Sequence, residues 1–192
     1  MNSLLHAIGP LVPIAIAFSV VFTAALVDYR KFCIPNYLTY STIITGLVWH
    51  TLSPYGEGLA TSAGGIAIGF LSLSPFFVVG GMGAGDVKLM MAVGSMLGIP
   101  LTFSVFLASS ISCGFYSVYI IIARSRFCFT LERLRLMYYR VILIGHQLIS
   151  DDHYISETNK ISTTSPDLIP FGVMVAIGMI LVFCYGIWPS VV

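Results

Sequence analysis

The sequence predicts an all-α integral membrane protein: a six-transmembrane-helix bundle with a glycine-rich loop before the fourth helix and a long cytoplasmic loop between the fifth and the sixth. Three observations predict it. The 192 residues are 57% hydrophobic and only 9% charged, with a mean hydropathy of +0.95, whereas soluble domains hold roughly 45–50% apolar and 25% charged residues. The apolar residues fall mostly in runs near 20 residues, about the length that crosses a hydrocarbon core of about 30 Å. The nine Lys and Arg residues all fall on one side of the membrane once those runs are threaded through it. A chain of this length suits one bundle and a single domain, residues 1–192.

The first run, residues 8–27, ends abruptly at Asp28-Tyr29-Arg30-Lys31. Arg30 and Lys31 favour the cytoplasmic side, which puts the N-terminus outside and Asp28 at the inner mouth of the helix. The first ten residues carry no Lys or Arg and so lack the basic region of a cleaved secretory signal. Ile34-Pro35-Asn36 follows, and because proline is tolerated in a helix's first turn, a second helix is expected to start near Asn36 and run outward over 37–52. Residues 53–58, without a basic side chain, read as an external turn.

Residues 59–79 return. Ala60, Gly64, Gly65 and Gly69 give this third helix a face of small residues suited to close helix contact, and Pro75 is expected to bend it ahead of the glycine run. That run is Gly80-Gly81-Met82-Gly83-Ala84-Gly85-Asp86, read as a bent, tightly packed turn because four glycines permit close approaches that a Cβ forbids. The fourth segment, 87–99, is short for a crossing, at roughly 20 Å of rise. It is expected to begin inside the glycine loop or to thin the bilayer, with Gly94 and Gly98 as a second small-residue face and Pro100 as its end.

A fifth helix, 101–123, comes back to Arg124 and Arg126. Within the long loop 127–167, Leu131, Leu134, Tyr138, Val141 and Ile142 recur at helical spacing beside arginines, a pattern of an amphipathic helix lying in the interface, with a plain spacer as the alternative. Residues 168–188 form the sixth crossing, with Trp188 as an interfacial aromatic. The four cysteines form no C-x-x-C pair and have no histidine at zinc-finger spacing, so no metal site and no cofactor are expected.

An ionisable residue in so apolar a chain is costly unless it faces protein or water, which marks Asp86 as a candidate site residue. The alternative is that Asp86 only caps the helix it begins, meeting unpaired N–H groups and the positive end of the dipole. The topology adds a second acid. Asp28 ends an inward-running helix and Asp86 begins an outward-running one, so both lie at the cytoplasmic mouth. Two carboxylates within about 3–5 Å share one proton, and such a pair can hydrolyse a peptide bond: one member takes a proton from water while the other donates to the carbonyl oxygen. A small ion- or proton-coupled transporter using the same acids as a relay is the competing reading, although relays more often sit near the midplane between repeats.

Asp28 followed by Ile34-Pro35-Asn36-Tyr37-Leu38-Thr39, then Gly83-Ala84-Gly85-Asp86-Val87-Lys88-Leu89, then Pro170-Phe171-Gly172 resemble, in order, the three signatures of the type IV prepilin leader peptidases, the GxGD aspartic proteases of membranes. The resemblance implies that Asp28 and Asp86 are the catalytic pair, that Gly83 and Gly85 shape the loop presenting Asp86, and that Pro170, Phe171 and Gly172 line the substrate groove. The plainer alternative for that last triplet is a helix start. Lys88, two residues past Asp86, points to another helix face, where it contributes to the site or snorkels to the interface.

The resemblance further implies cleavage of a short basic leader from prepilin or pseudopilin substrates at the cytoplasmic face of the inner membrane. The expected partners are those substrates and the lipid bilayer, with no nucleic acid; a homo-oligomer is left open. Larger members of the family carry an N-terminal cytosolic domain with paired cysteines and also methylate the new N-terminus. Nothing of that kind precedes the first helix here, so a peptidase alone is expected. Val173 also stands where the family tends to have a second proline.

Overall fold

A computed structural model describes residues 11–31, 33–52, 58–79, 81–123, 135 and 170–185. These residues form an all-α membrane protein with five helical elements: α1 (Leu11–Lys31), α2 (Asn36–Leu52), α3 (Leu59–Val78), α4 (Ala84–Ala123) and α5 (Phe171–Cys184). Three of them, α1, α3 and α4, are long and apolar enough to cross a membrane, and α5 is a shorter apolar helix. Apart from Arg135, the expected amphipathic helix and the 127–167 loop lie outside the described residues, as do Trp188 and, apart from Gly58, the expected external turn at 53–58.

The expected fourth and fifth segments lie within the single element α4, and the break between them is placed differently from the expectation. Gly98 is non-helical, with φ 73° and ψ −175°, a backbone region that glycine enters without a Cβ clash. Pro100 therefore does not end the first leg; it sits in the first turn of the second, where a missing N–H costs least. The Met96 carbonyl, in the last turn of the first leg, has no donor four residues on across the break. His50 from α2 takes that place, its buried Nε2–H donating to Met96 O at 3.2 Å. Ser62 Oγ donates to Ser95 O at 2.9 Å and Thr102 Oγ1 to Gly98 O at 2.5 Å. A buried backbone group left without a partner costs about 1–3 kcal/mol, so a break among buried residues needs such donors.

The first leg of α4, residues 84–97, is the centre of the bundle. Leu89, Met90, Ala92, Val93, Ser95 and Met96 are all almost fully buried. Its neighbours approach through glycine, as expected where helices associate by close packing rather than by escape from water. Gly65 of α3 and Gly94 meet backbone to backbone, so that a Cβ on either would run into the other's carbonyl, and Gly69 lies against Met90 O. The expected small-residue faces thus meet. On the other side Gly46 of α2 lies against Ser95.

These contacts fix the directions. Residues 62, 65 and 69 of α3 meet 95, 94 and 90, so α3 runs antiparallel to the first leg of α4. Asn36 meets Lys88 and His50 meets Met96, so α2 runs parallel to it. Phe18 of α1 packs edge-on against Phe183 of α5 at 5.0 Å between centroids, and Asp28 meets Gly172, so these two are antiparallel. The second leg of α4 meets α5 where Gly178 lies against Ser109. Consequently the end of α1 and the starts of α2, α4 and α5 gather at one end of the bundle.

The glycine run is shorter as a turn than the sequence suggests. Among the described residues the bend occupies 81–83, and Gly85 is already the second residue of α4. Helix α3 continues to Val78 past Pro75, and the Gly81 N–H donates back to Phe76 O at 2.8 Å as the chain leaves it.

Candidate active site

Asp28 lies in the last turn of α1 and is only 5% exposed, a burial that a carboxylate tolerates only with a partner. That partner is the backbone of α5: the Gly172 N–H donates to Asp28 Oδ2 at 2.8 Å. Gly172 is the second residue of α5 and Pro170 its N-cap, so this N–H belongs to the first turn, whose donors lack acceptors within the helix and carry the positive end of its dipole. The absent side chain matters as well. A Cβ at 172 would lie 3.0 Å from Asp28 Oδ2 and 3.2 Å from its Cβ. Pro170 and Phe171 are buried beside it, so this triplet forms a helix start that also holds an acid.

Asp86 is the third residue of α4. Its N–H donates to Gly83 O at 3.2 Å, and its carboxylate accepts a hydrogen bond from the Gly83 backbone, a reciprocal cap in which the third helical residue reaches back to the N-cap. Capping and exposure to the other acid coexist. Asp28, in the last turn of α1, and Asp86, in the first turn of α4, both lie at the gathered end of the bundle, where the charge of Asp28 acts on Asp86. Gly85 packs over buried Ile34, whose Cβ would stand 3.4 Å from a Cβ on the glycine.

Thus Asp28 with Gly172, and Asp86 with Gly83, lie at one end of the bundle, with Gly85, Pro170 and Phe171 next to them along the chain. Lys88 does not join them. It turns to α2, where Nζ donates to Asn36 Oδ1 at 3.0 Å. Cys113, which no sequence motif singles out, is half-buried on the second leg of α4, within electrostatic reach of Asp86. Only a folded α4 shows this, because no spacing in the sequence relates the two.

A family model described as the type IV leader peptidase family matches residues 15–118, more than half of the chain. The chain belongs to the type IV leader peptidase family. The matched stretch holds Asp28, the glycine run, Asp86 and Lys88, while Pro170, Phe171 and Gly172 lie beyond it. Within this leader peptidase family, a prepilin leader peptidase/N-methyltransferase of Vibrio cholerae serotype O1 is 28% identical over 100 residues, covering 49% of this chain and 40% of that protein. The chain therefore aligns with less than half the length of that relative. No solved structure matches the chain.

Proposed function

We propose that this leader peptidase family member is a membrane aspartic endopeptidase that removes a short basic leader from type IV prepilin-like proteins, with Asp28 and Asp86 as its catalytic pair. The observation that carries the reading is the meeting of two carboxylates, from helices far apart in sequence, at one end of an apolar bundle in a chain of this family. One ionised carboxylate takes a proton from a water held between the two, and the water oxygen attacks the scissile carbonyl carbon. The protonated partner donates to the carbonyl oxygen, giving a tetrahedral diol. Collapse of the diol returns a proton to the leaving amine and breaks the C–N bond. The Gly172 N–H keeps one carboxylate in place and the Gly83 cap the other.

The acids lie where α1 ends beside Arg30 and Lys31 and where α4 begins beside Lys88. Basic residues concentrate on the cytoplasmic side, so the site is assigned to the cytoplasmic mouth of an inner-membrane protein with six crossings and both termini outside. A basic leader that stays cytosolic, followed by an apolar helix, meets an active site at that depth. Prepilins and pseudopilins are the substrates of this reading, and the lipid bilayer is the other partner.

The test is co-expression of the chain with prepilin-like proteins of the same genome, followed by N-terminal sequencing of the product. Wild type is expected to release the leader, and Asp28→Asn and Asp86→Asn each to abolish release while remaining inserted, since an amide neither takes up nor supplies the required proton. Substantial cleavage by either variant would remove the pair from the mechanism. Ion flux in place of cleavage would move the relay reading ahead.

A further inference from the structure

Lys88 follows Asp86 by two residues, and two steps of about 100° put the two side chains on opposite sides of α4. A lysine that merely snorkels sends its ammonium along its stem into water. This one is turned back onto α2. Its Nζ donates to Asn36 Oδ1 at 3.0 Å and stands 5.3 Å from the centre of the Tyr40 ring, within the range where a cation is attracted to a ring face. Asn36 is the first residue of α2, and Tyr40 lies one turn further along. Just ahead of them, Ile34 is buried beneath Gly85.

The first turn of α4 needs such a hold. Helix ends fray, and the first N–H groups of a helix have no partner within it. Asp86 sits in that turn and is only half-buried; its Gly83 cap ties the carboxylate to its own loop, and the packing of Gly85 and Val87 leaves the exposed side of the turn to be held by other contacts. A tether on the far face supplies one: with Lys88 drawn to α2, the opposite face of α4, which bears Asp86, is turned toward Asp28.

We propose that Asn36 and Tyr40 are positioning residues that act through Lys88 to fix the rotation of the first turn of α4, and so the approach of Asp86 to Asp28. The inference rests on the peptidase reading above and deepens it. None of the three residues touches the scissile bond, and Lys88 serves as a strut between α2 and α4, not as a contact for the substrate.

The experiment uses the purified full chain in lipid vesicles with a synthetic prepilin-type peptide, a basic leader joined to the start of an apolar helix. Asn36→Leu and Lys88→Met are each expected to lower kcat by roughly tenfold to a hundredfold with KM unchanged, as a small misplacement of a catalytic group does. The double variant is expected to be no worse than the worse single one, because the two act as one unit. Asn36→Asp, which keeps the acceptor, is expected to restore kcat. Amides of residues 84–88 are expected to exchange hydrogen faster in Lys88→Met than in wild type, with exchange elsewhere unaltered.

A rise in KM at constant kcat would overturn the proposal and make Lys88 a substrate contact. Losses that multiply in the double variant, or an Asn36→Asp variant as weak as Asn36→Leu, would overturn it too. In each of those cases wild-type cleavage that still depends on Asp28 and Asp86 leaves the peptidase reading intact. A wild type that cleaves none of the peptides overturns both, and unchanged exchange at 84–88 in Lys88→Met overturns the strut alone.

Discussion

At the scale of the residue, the acid pair is held by backbone and, among the described residues, by no other side chain's hydrogen bond. Gly172 presents an N–H to Asp28 from the start of α5 and leaves no Cβ in the way; Gly83 caps Asp86. A methyl group at 172 would press on the Asp28 carboxylate and move it by tenths of an ångström. Gly172→Ala is therefore expected to lower kcat by roughly tenfold or more while the protein inserts and folds; an unaltered kcat would show that Asp28 is not held there. In the proposed mechanism the pair also sets the pH response. At low pH both carboxyls are protonated and the base is lost, and at high pH both are ionised and the acid is lost. A bell-shaped kcat profile is expected, its two apparent pKa values belonging to the pair, and a profile that only rises with pH would exclude a shared proton. The Asp28→Asn, Asp86→Asn double variant is expected to be little worse than either single one, since members of such a unit are strongly non-additive.

At the scale of the element, α4 carries the fold because it changes course inside the bundle. Gly98 permits the break, the break leaves Met96 O without a donor in its own helix, and His50 of α2 supplies one. His50→Leu keeps bulk but leaves that carbonyl unmet in an apolar setting, at a cost of about 1–3 kcal/mol. A lower thermal midpoint in detergent or lipid is expected, with kcat of the folded fraction unchanged because the break lies at the end of the bundle away from Asp28 and Asp86. His50→Gln, which can still donate, is expected to recover part of the loss. A midpoint equal to wild type for His50→Leu would show that the carbonyl finds another donor.

At the scale of the whole molecule, the end of α1 and the starts of α2, α4 and α5 meet at one end, so one end of the bundle carries both acids, Lys88, Arg30 and Lys31. Reporters fused after residue 53 and at the C-terminus are expected to read external, and one fused within 151–165 cytoplasmic. A cytoplasmic C-terminus would leave an odd number of crossings and contradict the six-crossing topology proposed above.

The membrane class, the apolar runs and the two acids were legible in the sequence by itself, because an apolar chain exposes its few charges: Asp28 and Asp86 stand out where 9% of residues are charged. Periodicity also told that Lys88 faces away from Asp86. Tertiary structure decided what those features touch. The small-residue faces of α3 and α4 were readable, but the pairing of Gly65 with Gly94 depends on how two helices slide along each other. Pro100 was readable as a breaker, but that the break falls at Gly98 depends on donors such as His50 arriving from another helix. The Gly172 N–H reaches Asp28 only because α5 packs antiparallel to α1, and Lys88 reaches Asn36 only because α2 runs beside α4. Local sequence carries propensity and charge; partners across the bundle are set by packing, which no single segment encodes.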